Sequence, residues 1–245
     1  MNLDRSNAIE LANVVSSHVG DSSEVDVALF PPFVYLPEVA AALDGSPVRA
    51  GSQDCADRAA GAFTGETAAS MVADVGGALT LVGHSERRHV YGEGDEMANA
   101  KVHMALSAGL EVVLCVGETL EEREAGDTEA VCARQLQAGL GGVSGEDLSR
   151  IVVAYEPVWA IGTGHTATPD QAQAVHAYLR GFFGGLKHAG AAQENAAKSL
   201  RILYGGSVKP DNAGELLAMP DIDGALVGGA ALQADTFIPI IDAGR

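Results

Sequence analysis

The sequence predicts a parallel α/β protein of the (β/α)₈ barrel class, with residues 1–245 forming a single domain. Three observations support this prediction. Short apolar runs alternate with longer amphipathic stretches from one end of the chain to the other, which is typical of a parallel sheet covered by helices. No linker or low-complexity segment interrupts the alternation. The glycine-rich turns follow the last two apolar runs, where barrels of this class place a phosphate site.

Seven apolar runs are predicted to be the strands. They are rich in Val, Ile, Leu and Ala and show no polar alternation, as expected for strands that are buried on both faces. In chain order they are Val25–Phe30, Val48–Gln53, Leu79–Gly83, Glu111–Val116, Ile151–Tyr155, Arg201–Tyr204 and Gly224–Val227. Because the chain opens directly on a helical pattern, an eight-stranded barrel would need one more strand before Met1.

The stretches between these runs have the periodicity of amphipathic helices. They are Asn7–His18, Met97–Ala108, Thr119–Gly139, Pro169–Lys187 and Pro210–Ala218, and Ala234–Ala243 is predicted to cover the final strand. Pro169 and Pro210 suit the first turn of a helix. A doubly wound sheet fits the same alternation but carries its glycine-rich turn after the first strand. Here the turns are Gly205-Gly206-Ser207 and Gly228-Gly229, which favours the barrel.

Composition and charge exclude several classes of function. The formal net charge of −18 argues against nucleic acid and anionic membranes as partners. An anionic substrate would then need a local positive potential, such as aligned backbone N–H groups. The three scattered cysteines have no CxxC spacing, which predicts reduced thiols and no metal site. Without a long apolar run or a secretory signal, the sequence predicts a soluble, cytoplasmic protein.

Two side chains at predicted strand ends are the candidates for catalysis, because barrels of this class place their active sites at the carboxyl ends of the strands. Glu156 follows the strand Ile151–Tyr155, and His84 follows Leu79–Gly83. Alone, each would more often be a structural residue. The apolar and glycine-rich segment after Glu156, residues 157–164, is predicted to be a lid that excludes water and so strengthens the carboxylate as a base.

A helix that starts directly after His84 would disfavour protonation of the ring, leaving a neutral imidazole that can donate to a substrate oxygen. Arg87 and Arg88 are expected to form salt bridges that hold neighbouring loops, and Glu86 is a second carboxylate near the site. No strand end carries a lysine for a Schiff base, and no cluster of histidines and carboxylates indicates a metal. One imidazole, one carboxylate and two glycine turns suit proton transfer beside a carbonyl on a phosphorylated substrate.

Five motifs occur in an order and spacing that resemble the triosephosphate isomerase family over about the whole chain. They are Gly61-Ala62-Phe63-Thr64-Gly65-Glu66, Gly83-His84-Ser85-Glu86-Arg87-Arg88, Cys115-Val116-Gly117-Glu118, the segment from Ala154 to Gly164, and Tyr204-Gly205-Gly206-Ser207-Val208. The resemblance implies a glutamate base, a neutral histidine and a closing loop on a TIM barrel.

The resemblance implies the interconversion of dihydroxyacetone phosphate and D-glyceraldehyde 3-phosphate through an enediolate, a step of glycolysis and gluconeogenesis. It implies that Glu156 takes the proton from carbon and that His84 polarises the carbonyl. The same resemblance assigns phosphate binding, largely through backbone N–H groups, to Gly162, Ser207, Gly228 and Gly229. It implies no metal and no organic cofactor. It also implies a homodimer in which the loop with Phe63-Thr64 reaches the partner's active site.

The match fails at the N-terminus. The family's first strand ends in Asn-Trp-Lys-Met-Asn, and this chain begins at Met1-Asn2, so the functional asparagine and lysine are absent. We expect that Met1 is a wrongly chosen start codon and that the natural protein carries the strand. Losing one preorganised donor costs about 10²–10³ in rate. Losing a barrel strand also leaves two unpaired sheet edges and exposes the core, so the chain as written is expected to fold, pair and turn over poorly. His165 also departs from the family, which commonly has lysine there.

Two other classes of function stay open at this point. A truncated, non-catalytic sugar-phosphate-binding barrel would keep the anion site and lose turnover. An aldolase or lyase would need a lysine at a strand end or a metal cluster, and the sequence shows neither. The sequence does not decide whether Glu86 and Cys115 matter to chemistry or only to packing.

Overall fold

The structure, a computed structural model, describes residues 1–162, 166–186 and 198–245. Seven parallel strands lie in one sheet whose order follows the chain, consistent with the predicted α/β barrel class. They are β1 (Ala28–Leu29), β2 (Arg49–Ser52), β3 (Leu79–Val82), β4 (Glu111–Val116), β5 (Ile151–Tyr155), β6 (Arg201–Tyr204) and β7 (Gly224–Ala225). All seven predicted strands are confirmed, although β1 and β7 are shorter than predicted.

Helices cover the outer face of the curled sheet. They are α1 (Arg5–Val19), α2 (Leu36–Ala42), α3 (Ala69–Asp74), α4 (Ser85–His89), α5 (Asp95–Ser107), α6 (Leu120–Glu124), α7 (Thr128–Gly139), α8 (Pro169–Gly185), α9 (Ala213–Leu217) and α10 (Ala234–Ala243), with 3₁₀ turns at Phe33–Tyr35, Asp147–Arg150, Val158–Ala160 and Gly229–Leu232. No helix in the described ranges is long and apolar enough to cross a membrane.

Two helix predictions are wrong in detail. The single helix predicted over Thr119–Gly139 is divided into α6 and α7, because Gly126 adopts a left-handed φ of 82° and ends the first of them. Pro210 lies in a turn and α9 begins three residues later. In that turn Asn212 Oδ1 accepts a hydrogen bond from the N–H of Lys209 at 2.8 Å. The role of Pro169 is confirmed, and the predicted end at Lys187 lies outside the described residues.

The core has two layers that follow the alternation of side chains along each strand. The inner layer, enclosed by the curl of the sheet, consists of Leu79, Leu81, Val113, Cys115, Val152 and Ala154. The outer layer packs the opposite faces of the same strands, including Val153 and Tyr155, against the helices. Because Ala154 points inward and Tyr155 outward, the next residue, Glu156, is directed to the inner side of the sheet.

The sheet is tightest in its middle and open at its edges. The register between β4 and β5 spans five residue pairs, from Val112–Ile151 to Val116–Tyr155. Only two pairs join β1 to β2, and only two join β6 to β7. Within the described residues β1 and β7 do not pair with each other, so the curl is not closed there.

Candidate active site

Glu156 lies directly beyond β5, and its side chain is almost completely buried, with 2% of the residue exposed. Its backbone N–H donates to the carbonyl of Val116 at 2.8 Å, which extends the β4–β5 ladder by one residue. A Cβ added at Gly117 would overlap the carbonyl oxygen of Glu156. The base candidate is therefore fixed by the neighbouring strand, and only glycine fits beside it.

His84 lies beyond β3 and caps the N-terminus of α4. Its Nδ1 accepts the backbone N–H of Glu86 at 3.3 Å, so the proton of the neutral ring lies on Nε2. Nε2 is 3.0 Å from Oε1 of Glu156. The two residues singled out by the sequence are thus in direct contact, although they are 72 positions apart in the chain.

Ser85 holds the same carboxylate from a second direction, and sequence reasoning missed it. Its backbone N–H donates to Oε2 of Glu156 at 2.8 Å, and its hydroxyl donates to Oε1 at 3.4 Å. The residue follows His84 at the first position of α4, where backbone N–H groups point away from the helix. That position was a possible signal, but the contact crosses from one strand end to another and becomes visible only in the folded chain.

The pKa of His84 is raised in this arrangement. Burial lowers the pKa of the ring, but the hydrogen bond and the charge of Glu156 raise it by more, and Glu86 adds a smaller increase. The predicted helix start below the ring is confirmed. The predicted lowering of the pKa is wrong, because α4 is only five residues long and a carboxylate lies 3.0 Å away.

The first part of the predicted lid is held by a buried carboxylate, Glu118. Its Oε1 accepts hydrogen bonds from the indole N–H of Trp159 at 2.9 Å and from the hydroxyl of Tyr155 at 3.1 Å. Arg123 donates to the same oxygen at 3.1 Å and stacks over the Trp159 ring at 4.4 Å. Sequence reasoning assigned no role to Glu118. Thr163 and Gly164 of the lid lie outside the described residues, and so does His165, which directly follows the lid.

The predicted phosphate-binding residues lie at the β6 and β7 ends and in the lid. Ser207 follows β6, and Gly228 and Gly229 follow β7, so these strand ends are neighbours in the sheet. Gly228 and Gly229 are exposed, and Ser207 is partly buried. In the described parts of the chain, the N–H groups of these three residues have no hydrogen-bond acceptor. Gly162 is exposed in the lid with a left-handed φ of 69°.

Arg87 and Arg88 form the predicted salt bridges. Arg87 pairs with Glu93 at 2.5 Å and with Asp54 at 3.2 Å. Arg88 pairs with Asp95 at 2.7 Å and also donates to the carbonyls of Gly83 and Cys115. Both arginines therefore tie the loops around His84 to neighbouring elements.

The two residues that the sequence left open have different environments. The side chain of Glu86 is 75% exposed, and its Oε2 is 3.9 Å from Nδ1 of His84. Cys115 is completely buried in the inner layer of the core, and this burial raises the pKa of its thiol well above the ordinary value. The charge of Glu156 and a hydrogen bond with it raise the pKa further, so the thiol stays protonated beside the carboxylate.

In the described ranges no lysine forms a salt bridge or a hydrogen bond with Glu156, whose partners include His84 and Ser85. Lys101 is buried in α5, where its Nζ lies 2.7 Å from both Asp54 and Glu93. Lys198 and Lys209 are exposed, and Lys187 lies outside the described residues. Across the described ranges, no group of three or more His, Cys, Asp or Glu could hold a metal ion.

Comparison with known proteins agrees with this geometry. The family model described as Triosephosphate isomerase matches residues 1–244. A triosephosphate isomerase from Cupriavidus necator is 54% identical over 219 residues, which are 89% of this chain and 87% of the relative. Relatives of the same name from Xanthomonas campestris pv. campestris and Rhodopirellula baltica are 50% and 49% identical, over 96% and 99% of this chain and 91% and 94% of their own lengths. The chain belongs to the triosephosphate isomerase family.

Proposed function

We propose that the chain interconverts dihydroxyacetone phosphate and D-glyceraldehyde 3-phosphate through an enediolate. The observation that carries this proposal is the contact of 3.0 Å between Nε2 of His84 and the carboxylate of Glu156, in a chain of this family. Glu156 takes the proton from the carbon beside the carbonyl and returns it to the neighbouring carbon. His84 donates from Nε2 to the carbonyl oxygen and moves a proton between the two oxygens of the enediolate.

The contacts of the Glu156 carboxylate indicate what must change when substrate binds. Glu156 is held by His84 and Ser85, so it can reach a substrate carbon only by leaving them. Once the carboxylate moves away, the main cause of the raised pKa of His84 is gone while burial of the ring remains. The ring is then neutral and able to donate, which is the state that polarisation of a carbonyl requires.

The phosphate is assigned to the backbone N–H groups of Gly162, Ser207, Gly228 and Gly229. Uncharged donors suit a chain with a net charge of −18, because they attract an anion locally without adding positive residues. The N–H groups of Ser207, Gly228 and Gly229 have no acceptor in the described parts of the chain, which supports this assignment.

The partner in this proposal is a second copy of the chain, which binds through the loop that carries Phe63 and Thr64. Phe63 is 47% exposed, Val34 71% and Tyr91 65%. They lie in the loops that follow β2, β1 and β3, and these three strands are neighbours in the sheet, so the apolar side chains share one end of it. A patch of this kind is typical of a protein interface. We expect Phe63→Asp to shift the sedimentation equilibrium from dimer to monomer, with Val14→Asp on α1 as the exposed apolar control.

Residues 1–245 are proposed to form a single domain, since one sheet runs through them. A cytoplasmic location is proposed as well, where the three buried free cysteines would stay reduced.

The test is an assay of D-glyceraldehyde 3-phosphate conversion by the purified chain, by a longer chain in which a first strand of the family's type is added before Met1, and by Glu156→Gln in both. Turnover that Glu156→Gln lowers by about 10³-fold supports the proposal, since a general base contributes 10²–10⁴. Turnover only by the longer chain shows that the family's first strand is required, and turnover by both shows that it is dispensable. If folded forms of both bind inorganic phosphate without turnover, the proposal is wrong, and the non-catalytic barrel takes its place.

A further inference from the structure

His176 is a completely buried histidine in the middle of α8, away from the contact between His84 and Glu156. Its Nδ1 is 3.1 Å from the backbone carbonyl of Asp221. A carbonyl only accepts, so Nδ1 carries the proton and Nε2 carries the lone pair. Burial lowers the pKa of the ring to about 4, with opposing contributions from Asp221 and Asp223 and a further lowering by Arg180, so His176 is neutral near pH 7.

The carbonyl that anchors this ring is itself held in place. The carboxylate of Asp221 accepts hydrogen bonds from Arg180 at 2.7 Å and from Gln173 at 2.6 Å. The backbone N–H of Asp221 donates back to Gln173 at 3.0 Å. Since Gln173 and Arg180 lie on α8 with His176, the helix and the β6–β7 connection form one unit that fixes the orientation of the imidazole.

The fixed ring packs against two tyrosines that end neighbouring strands. Its centroid is 5.8 Å from Tyr155 in an edge-to-face arrangement and 6.3 Å from Tyr204, and the tyrosine rings are 6.5 Å apart. Tyr155 directly precedes Glu156, and Tyr204 directly precedes the turn that begins at Gly205. The N–H of Gly205 donates to the carbonyl of Tyr155 at 2.7 Å, so the two strand ends are also joined to each other.

Both tyrosines also lie near the first residues of the lid, 157–159, which are called its hinge below. The hydroxyl of Tyr155 donates to Glu118, which also accepts from Trp159. A Cβ added at Gly206 would overlap the hydroxyl of Tyr204, so this hydroxyl packs against the turn that leads to Ser207. The same Cβ would lie 3.1 Å from Cγ of Pro157, the first residue of the lid.

We propose that His176 is a positioning residue, which through Tyr155 and Tyr204 sets the relative placement of the Glu156 strand end, the Ser207 turn and the lid hinge. This inference rests on the proposed function. A residue that only filled space would not need a polar ring here. In the described structure Nε2 is buried without a partner, which destabilises the fold and which a phenylalanine would avoid. What the histidine adds is the N–H anchor that fixes the ring.

The test uses His176→Phe, which keeps a ring and removes the anchor, and His176→Asn, which keeps an N–H donor and removes the ring. Each is compared with the parent chain in kcat, KM, affinity for inorganic phosphate and thermal midpoint. Trp159 is the single tryptophan of the chain, so its fluorescence reports the hinge directly. Leu136→Ala, a buried change in α7, is the control for lost stability alone.

We expect both variants to remain folded, to lose about tenfold in kcat, and to show a smaller phosphate-induced change in Trp159 fluorescence. The expected loss is below the factor of about 10² in rate that a displacement of a catalytic group by about 1 Å can cause. Leu136→Ala should lower the thermal midpoint and leave kcat unchanged. The inference is wrong if a folded His176 variant keeps kcat within about twofold and the full fluorescence change, or if Leu136→Ala loses as much kcat.

Two complications leave the test decisive. If His176→Phe does not fold, His176→Asn alone decides between the same outcomes. If only the longer chain turns over, kcat is measured in that chain. If neither chain turns over, the proposed function fails, and the fluorescence and phosphate measurements still report whether His176 positions the turn and the hinge.

Discussion

The two sides of the site use different chemical groups, side chains on one side and backbone N–H groups on the other. On the proposed proton-transfer side, at the ends of β3 and β5, the proposed groups are side chains, and Glu156 is buried and in contact with His84 and Ser85. On the phosphate side, at the ends of β6 and β7, the proposed groups are the backbone N–H groups of exposed glycines. The first side is therefore sensitive to displacements of a fraction of an ångström, whereas the second is sensitive mainly to charge.

The sheet itself shows the same contrast. Five residue pairs join β4 to β5 below Glu156, and only two pairs join β6 to β7 below the glycines. A side chain that takes a proton from carbon needs a fixed position, because proton transfer depends steeply on distance. Amides that surround a phosphate act through a summed field, which tolerates more variation.

Among changes that leave the side chains of His84 and Glu156 in place, the largest effect is expected from Gly117→Ala. A Cβ at this position would overlap the carbonyl oxygen of Glu156, and backbone cannot move away as a flexible side chain can. The β5 end must therefore shift, and we expect kcat to fall about 10²-fold, with a lower thermal midpoint. Steady-state kinetics and thermal unfolding measure both quantities.

The matched control is Gly181→Ala in α8, where no atom of the described residues lies within 4 Å of the added Cβ. It should leave kcat unchanged and leave stability equal or slightly higher. A folded Gly117→Ala variant with normal kcat would show that the close approach of the two strand ends does not position the base.

A smaller effect, on KM, is expected from Gly229→Asp. Within the part of the chain that the structure describes, no atom lies within 4 Å of a Cβ at Gly229, so the side chain fits there, and its charge would repel the phosphate of the substrate. We expect KM to rise about tenfold with little change in kcat, and the rise to shrink at high salt, since exposed charges are screened. Kinetics at low and high ionic strength measure this.

Gly229→Asn provides the neutral control of the same shape and should behave like the parent chain. An equal rise of KM in both variants would mean that the site rejects bulk at Gly229. A fall in kcat without a rise in KM would place this residue on the proton-transfer side and would remove the distinction between the two sides.

The strands were the most predictable part of the fold. Parallel strands that are buried on both faces have continuous apolar sequences, so both ends of the strand Ile151–Tyr155 were predicted correctly. Turns were harder, because the division between α6 and α7 depends on the φ of one glycine and the start of α9 on one side-chain hydrogen bond.

Within the site, the sequence identified residues by their position at strand ends but not by their contacts. His84 and Glu156 were found because each follows an apolar run. Ser85, Glu118 and His176 were missed as functional candidates, because each acts through a partner that lies 35 or more positions away or on another element. The pKa of His84 was predicted from the local helix alone, and the distant carboxylate reversed its direction.

The smallest of these effects concerns that pKa. Glu156→Gln removes the charge that most raises the pKa of His84, so burial should then lower it. Glu86→Gln, which removes a more distant and exposed charge, should lower it less.

The same contact affects stability. The pKa of His84 in the folded parent chain is raised above its ordinary value of 6.5, so its ion pair with Glu156 stabilises the fold below that pH. This stabilisation is lost as the pH rises through the folded pKa. The free energy of unfolding of Glu156→Gln should therefore depend less on pH in that interval. NMR titration of the His84 ring, assigned with His84→Gln, and denaturant unfolding at several pH values measure the two effects. An unchanged pKa in Glu156→Gln would mean that the carboxylate does not control the ring, and the two strand ends would then have to be treated as independent.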